Sequence, residues 1–416
     1  MKVVGIILLS IVLWWPNNAL AQSEFPPLPA PLCGELAEAD CQLLIDSQEA
    51  MRNLSSMNTA IAVDSGLAGI PAYADEDMAF SLVMDITTHL DPAINEAMRV
   101  AMMEMAGYRA SSDSAAARQE FTELIAAFYE TLGMTMEMQM ALPRVVRDAF
   151  EADEAVVVPE SLAMRTRMVD GYVYIDMDAI AESFPDVRAE LEAEGLSGWL
   201  GFDMASQLAQ DMMGADESSD DSTVQALQMS LLFNQWMADE STRALLDPYI
   251  TVERLADEER NGETVAVFRT SVDLARLVAN RDFTQLLRTT TEMLITASGE
   301  PVDEQEMGMG ILGIQMLTNL IARSFEFELL QVIGVESAYV YDYNLYIQLD
   351  LSGLLSLMAM SGEELPAELM GAAPLFTFDM DASYSDFDAA PEIVAPEDAQ
   401  IIPLEYMDDD SRELLS

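Results

Sequence analysis

Three features of the chain predict an α+β protein built on an antiparallel sheet. Turn signals of the hairpin type recur, with Asp170-Gly171 and Asn261-Gly262 each set between alternating apolar runs. Helical stretches fall between such runs, but without the strand–helix–strand regularity of a parallel sheet. Composition demands a core: 51% of residues are hydrophobic, although 73 Asp and Glu face only 19 Lys and Arg, a formal net charge of -54. Acidic chains that stay unfolded are poor in apolar residues, so the balance describes a greasy interior under a strongly negative surface.

Taken in order, residues 1–21 read as an export signal. Lys2 precedes an apolar run resuming through Trp15, Pro16 breaks it, and Ala19-Leu20-Ala21 supplies small residues for cleavage before Gln22. The apolar stretch is short for a bilayer span, and no later segment reads as a membrane helix. Leu32, just before Cys33, is not the small residue that lipidation needs. In an exported chain, Cys33 and Cys41 are expected to form a disulfide that clips residues 33–41 onto a first helix near Asp40–Leu54. Loop entropy gives that staple about 2–3 kcal/mol.

Ile61 and Val63 alternate in one strand, and Met78, Phe80, Leu82 and Met84 in a second. Asp91-Pro92 opens a block of helical composition over Ala93–Met105, Ser114–Leu132 and Thr135–Ala149. Strand periodicity returns over Ser161–Asp178, with Tyr172, Tyr174 and Asp176 on one face and Val173, Ile175 and Met177 on the other. Glu182–Glu194 reads as a helix, and Trp199, Phe202 and Met204 lead into another. Residues 217–223 form an acidic loop, followed by helix over Val224–Ala238.

Ile250–Asp257 and Glu263–Val272 read as a hairpin, with Val265 and Val267 sharing a face. Short and long helices follow over Leu274–Ala279, Phe283–Ala297 and Glu306–Arg323. Ser324–Ile333, Glu336–Leu349 and Pro374–Phe387 are strands, with helix over Ser352–Leu369 between the last two. Three prolines make Pro391–Pro403 an extended tail.

Four places carry a family resemblance. Val169–Tyr174 with Trp199 looks like a family strand and its following tryptophan. Arg260–Thr264 with Val265–Val272 is like a central hairpin, Glu336–Leu349 resembles a long ribbon strand, and Phe376–Pro396 (ending SYSDFDAAPEIVAP) resembles the closing strand. Together they resemble the periplasmic lipoprotein-carrier superfamily, with its LolA-type carriers and mycobacterial lipid-binding LppX/LprG-type lipoproteins. The opening LCGELAEADCQLLIDSQEAM is similar to the start of secreted proteins of Chloroflexota-type bacteria. The resemblance implies a strongly curved antiparallel sheet, a half-barrel, that wraps helices around an apolar cavity. On that plan residues 22–44 are a Pro-rich lead and 45–403 a single domain with large helical insertions at about 93–149 and 203–245. Residues 404–416 form an acidic tail.

No catalytic constellation stands out. His89 is the only histidine, with no second available for a zinc site, and reads as a surface or cap residue. Acid clusters such as Glu258-Glu259 and Asp408–Asp410 carry the oxygen ligands calcium takes but arise by chance in so acidic a chain, and Asp216–Asp221 lacks the spacing and glycine of a calcium loop. Asp176, Asp178 and Glu182 near Tyr172 and Tyr174, and Asp342 between Tyr341 and Tyr343, suit a tyrosine-lined sheet as readily as a sugar cleft. Alternation places Tyr339, Tyr341 and Tyr343 on one face. No enzyme activity, metal or cofactor is expected. The negative charge argues against nucleic acid as a partner and suits a saline setting.

The 30 methionines are ordinary core filling or the lining of an adaptable cavity. The leading expectation is a secreted protein that binds a lipid or other apolar ligand between sheet and helices. Strand phase selects Val173, Ile175, Trp199, Phe202, Val265, Val267, Leu345, Ile347 and Phe376 for the cavity wall. Met136 and Met140 would join them from a helical lid. The alternative is an envelope-associated structural or protein-interaction module whose core is full.

Overall fold

The structure is a computed structural model. It describes residues 31, 33–71, 78–98, 114–144, 147–148, 159–184, 188, 196–205, 240–285, 320, 322–361, 369 and 372–402. The expected leader, the 217–223 loop, the acidic tail and most of the helices expected over 206–239 and 286–319 lie outside those residues.

A 13-stranded sheet organises the chain, in the order β13-β6-β5-β4-β3-β2-β1-β12-β11-β10-β9-β7, with β8 also on β9. The strands are β1 Ser56–Ala68, β2 Phe80–His89, β3 Gly133–Ala141, β4 Ser161–Val169, β5 Tyr172–Asp176, β6 Trp199–Asp203 and β7 Ile250–Arg254. They continue as β8 Glu258–Arg260, β9 Glu263–Val272, β10 Phe325–Gly334, β11 Val340–Asp350, β12 Leu375–Ser385 and β13 Gln400–Ile401. Every pairing is antiparallel except β13 on β6. The sheet is curved and does not close on itself. Two meanders, β6 back to β1 and β9 on to β12, are zipped together by β1 against β12 from Asn58↔Ser385 to Ala68↔Leu375. Strands that are distant in sequence thus share one ladder.

Local chemistry explains the tight corners. Asp170-Gly171 and Asn261-Gly262 all have positive φ, as a two-residue turn between twisted strands requires. Asp176 ends β5 and caps the next helix, its Oδ1 accepting from the N–H groups of Asp178 (3.0 Å) and Ala179 (3.3 Å).

The helices are α1 Glu38–Arg52, α2 Ser114–Thr131, α3 Met177–Ser183, α4 Glu240–Leu246, α5 Leu274–Val278 and α6 Ser352–Ser361. A further helical stretch runs over 92–98, where Asp91 Oδ1 accepts the Ala93 N–H at 2.8 Å. No helix among the described residues is long and apolar enough to cross a membrane. Cys33 and Cys41 are joined, with their Cα atoms 5.4 Å apart. Leu36, Leu43, Leu44 and Met51 pack on Val252, Phe268 and Ile333. Arg254 of β7 also reaches Asp40 on α1.

Several expectations need correction. Residues 133–141 form a strand, not part of a helical insertion, so Met136 and Met140 belong to the sheet. Met, Glu and Gln favour helices, but methionine at alternate positions from Met134 to Met140 is a strand pattern, and pairing on both sides outweighs propensity. A helix over Met177–Ser183 precedes and overlaps the start of the one expected over Glu182–Glu194, in which Arg188 is helical while 185–187 and 189–194 lie outside the described residues. Trp199 and Phe202 lie in a strand.

Candidate functional site

Residues paired across an antiparallel ladder share a face, so the registers sort the side chains of the sheet into two sets. One row reads Thr59, Ile86, Met136, Thr166, Ile175, Leu200 from β1 to β6. The next rows on the same face read Ile61, Met84, Met138, Met164, and Val63, Leu82, Met140, Leu162. Across the zip, the face continues through Met380 and Leu345, Phe378 and Ile347, then Phe376 and Leu349. Leu329, Phe327 and Phe325 complete it on β10.

From β6 through β10 the paired positions of this face carry no Asp, Glu, Lys or Arg. The opposite face holds the charge: Asp64, Asp85, Glu137, Arg165, Asp176, Asp379 and Asp381 all fall on it.

Helices cover the uncharged face. Leu124, Ile125, Phe128 and Tyr129 of α2, Ile94 and Met98 of the 92–98 helix, and Met177 and Ile180 of α3 pack on β1–β6. Burial pushes the Tyr129 phenol up to about 12. This half of the face is sealed around Leu82 (1% exposed), Met84, Met164 and Met168. Over β10–β12 the apolar side chains are only half-buried, including Phe327, Leu329, Leu345, Ile347, Phe376 and Phe378.

The structure brings most of the expected cavity residues to this one face. Val173, Ile175, Phe202, Met136 and Met140 belong to one hydrophobic cluster. Leu345, Ile347 and Phe376 continue the same face across the zip, by their pairing with Met380, Phe378 and Leu349.

Trp199, Val265 and Val267 lie on the other side. Trp199 pairs with Asp176, and the Arg167 guanidinium sits 5.0 Å from its ring centre. Val265 and Val267 pack with Val332, Leu255 and Tyr341 in a small outer cluster, while Ala266 and Phe268 face inward. Both faces of β9 are buried there, so alternation alone gave no inward direction. Sequence reasoning missed Met84, Met164, Met168, Thr166 and Phe378, although the Leu162-Met164-Met168 alternation in β4 was a usable signal.

The tyrosine row of β11 is also broken. Pairing steps from Val332↔Asp342 to Ile333↔Val340, which leaves Tyr341 as the extra residue of a bulge. Tyr341 turns outward and donates to Glu263 (2.9 Å), whereas Tyr343 packs in the inner cluster with Phe268.

Ionisable groups proposed for chemistry are occupied structurally. His89 Nε2 lies 2.8 Å from the Pro391 carbonyl oxygen, and Asp176 pairs with Arg165 at 3.2 Å besides capping α3. Asp342 pairs with Arg260 at 2.9 Å. Among the described residues no three His, Cys, Asp or Glu side chains are grouped to hold a metal.

No protein-family model matches the chain. No curated protein matches it either. Among solved structures, Mycobacterium tuberculosis lipoprotein LppX aligns with 7% identity over 85% of this chain and 97% of its own, at a TM-score of 0.25. LprF from Mycobacterium bovis aligns with 9% identity over 87% and 99%, at a TM-score of 0.28. The architecture described above rests on its own strand pairing, not on these distant likenesses. The likeness of residues 32–51 to Chloroflexota-type proteins has no counterpart in these comparisons.

Proposed function

We propose that this is an exported, non-enzymatic protein that holds a lipid or other apolar molecule between the uncharged sheet face and its helices. The observation that carries the reading is that face: its paired positions hold no Asp, Glu, Lys or Arg from β6 to β10, in a chain of formal net charge -54. A ligand placed there loses no charge–water contact and gains about 2.5 kcal/mol for each ~100 Å2 of apolar surface covered. The half-buried stretch around Leu345, Ile347 and Phe376 is the entry we favour, with Phe202, Val173, Ile175, Met136 and Met140 deeper along the same face. Trp199, Val265 and Val267 are left out because they face the other way.

The low exposure of Leu82, Met84 and Met164 favours a second reading, in which the core is simply full and the module binds proteins through its surface. Native mass spectrometry of the purified chain, with titration of a pyrene-labelled alkane, separates the two. Extra mass that organic extraction removes, or saturable uptake of the probe, supports the ligand reading. A bare mass together with no uptake supports the filled core.

A further inference from the structure

Thr166 is 1% exposed in β4, and among the described residues its Oγ1 has no hydrogen-bond partner. Leaving a hydroxyl unpaired inside a protein is costly, so a native site with one calls for an explanation. Its neighbours in the sheet on the same face offer no oxygen or nitrogen acceptor. Met136 and Ile175 stand directly across from it, Met164 and Met168 flank it along β4, and Met134 and Met138 lie on the diagonals. The other buried threonines of this face, Thr59 and Thr88, both have partners.

Resting on the function proposed above, we propose that Thr166 is the polar anchor of the ligand site. Its hydroxyl donates to an uncharged oxygen of the bound molecule, an ester carbonyl or a long-chain alcohol. Anionic head groups do not suit this place, because the face offers no Lys or Arg to pair with a carboxylate or phosphate. A pure hydrocarbon would fill the volume but leave Oγ1 as it stands. Methionine makes the position reachable. Met136, directly opposite, is only partly buried, and its unbranched thioether chain can move aside without a strained rotamer. The anchor lies within the sealed rows, between Met164 and Met168, and a ligand reaches it as Met136 moves aside.

The test compares hexadecane and methyl palmitate as competitors for a pyrene-labelled alkane, on wild type, Thr166→Val and Thr166→Ser. Valine matches threonine in shape and removes only the hydroxyl. The expected result is about tenfold weaker competition by methyl palmitate in the Val variant. Hexadecane is expected to compete equally with all three proteins, and the Ser variant to keep the ester preference. Equal loss of both competitors in the Val variant, or no loss of either, would overturn the anchor while leaving an apolar site intact. Failure of the wild type to take up the probe would overturn the site itself and the anchor with it. Near-ultraviolet circular dichroism of the Val variant confirms that it folds, since an unpaired hydroxyl contributes nothing to packing that valine lacks.

Discussion

Glu263, the first residue of β9, fixes the turn that joins β10 to β11. Its Oε1 accepts the N–H groups of Glu336 (2.9 Å) and Ser337 (2.7 Å), and its Oε2 accepts the hydroxyls of Ser337 (3.0 Å) and Tyr341 (2.9 Å). Burial pushes the carboxyl up, but the bonds from Ser337, Tyr341 and Glu336 outweigh it and hold the group below its ordinary value of 4.5. The folded-state pKa is therefore lower than that of the unfolded chain. The stability gained is present in full above the unfolded value and lost as pH falls through the folded one. Glu263→Gln is expected to cost about 1–2 kcal/mol at neutral pH. The gap from wild type is expected to narrow in urea titrations at about pH 3. A gap of the same size at both pH values would mean that shape, not charge, holds the turn.

The segment after β12 shows how an extended tail becomes a structural element. It leaves Ser385 through Asp386 and Asp388, both at positive φ, and crosses one end of the strands from β1 towards β6. Asp388 Oδ1 accepts from Ser55 N–H (2.7 Å) and Oγ (2.8 Å), the Pro391 carbonyl meets His89, and the Val394 carbonyl accepts from Arg167 at 3.3 Å. Ile402 N–H then donates to the Gly201 carbonyl at 2.9 Å, beside β13. A Cβ on Gly201 would come within 2.6 Å of Ile401 Cδ1 and 2.8 Å of Tyr174 Cε1, so Gly201→Ala is expected to loosen β13. Hydrogen exchange at the Ile402 amide reads this directly; protection equal to wild type would show that Ile401 simply swings away. Asp388→Ala, at the other end, is expected to cost about 1–3 kcal/mol of global stability by thermal melt, because it strands the Ser55 donors. No loss would mean that water replaces the carboxylate there. Proline made the extended form of this strap legible in the sequence, but its parallel pairing with β6 was not, since two residues carry no pattern. Alternation revealed β2, β4, β5, β9, β11 and β12. It failed for β3, where methionine, glutamate and glutamine also satisfy helix propensity, and for the inward face of β9, where both sides are apolar. The uncharged face was present in each strand as one of two phases. Choosing between them needed neighbours: Glu137 between Met136 and Met138 marks the outside of β3 only once Arg165 and Asp85 are seen opposite it.

Charge sorted so completely to one side of a sheet has an energetic consequence for the protein as a unit. Asp64 stands directly opposite Asp379, and Asp85 opposite Glu137, arrangements in which like charges oppose folding. Arginines relieve the flanks, through Arg165 with Asp176 (3.2 Å), Arg260 with Asp342 (2.9 Å) and Arg269 with Glu328 (3.2 Å). These pairs are exposed enough that salt weakens them too, but they are few beside a formal net charge of -54. Repulsion therefore dominates the response to salt. At about 0.15 M ionic strength the screening length is about 8 Å, and at about 0.01 M it is about 30 Å, so that carboxylates several strands apart act on one another. Lowering the ionic strength across that range is expected to lower the melting temperature by several degrees. The Asp64→Asn variant separates this from a generic salt effect on water. If facing carboxylates are the cause, it melts higher than wild type in dilute buffer and the difference shrinks as salt is added. Parallel melting curves at every salt concentration would place the repulsion elsewhere on the surface, whereas salt-independent melting of both proteins would show that the acidic face is fully hydrated and costs the fold nothing.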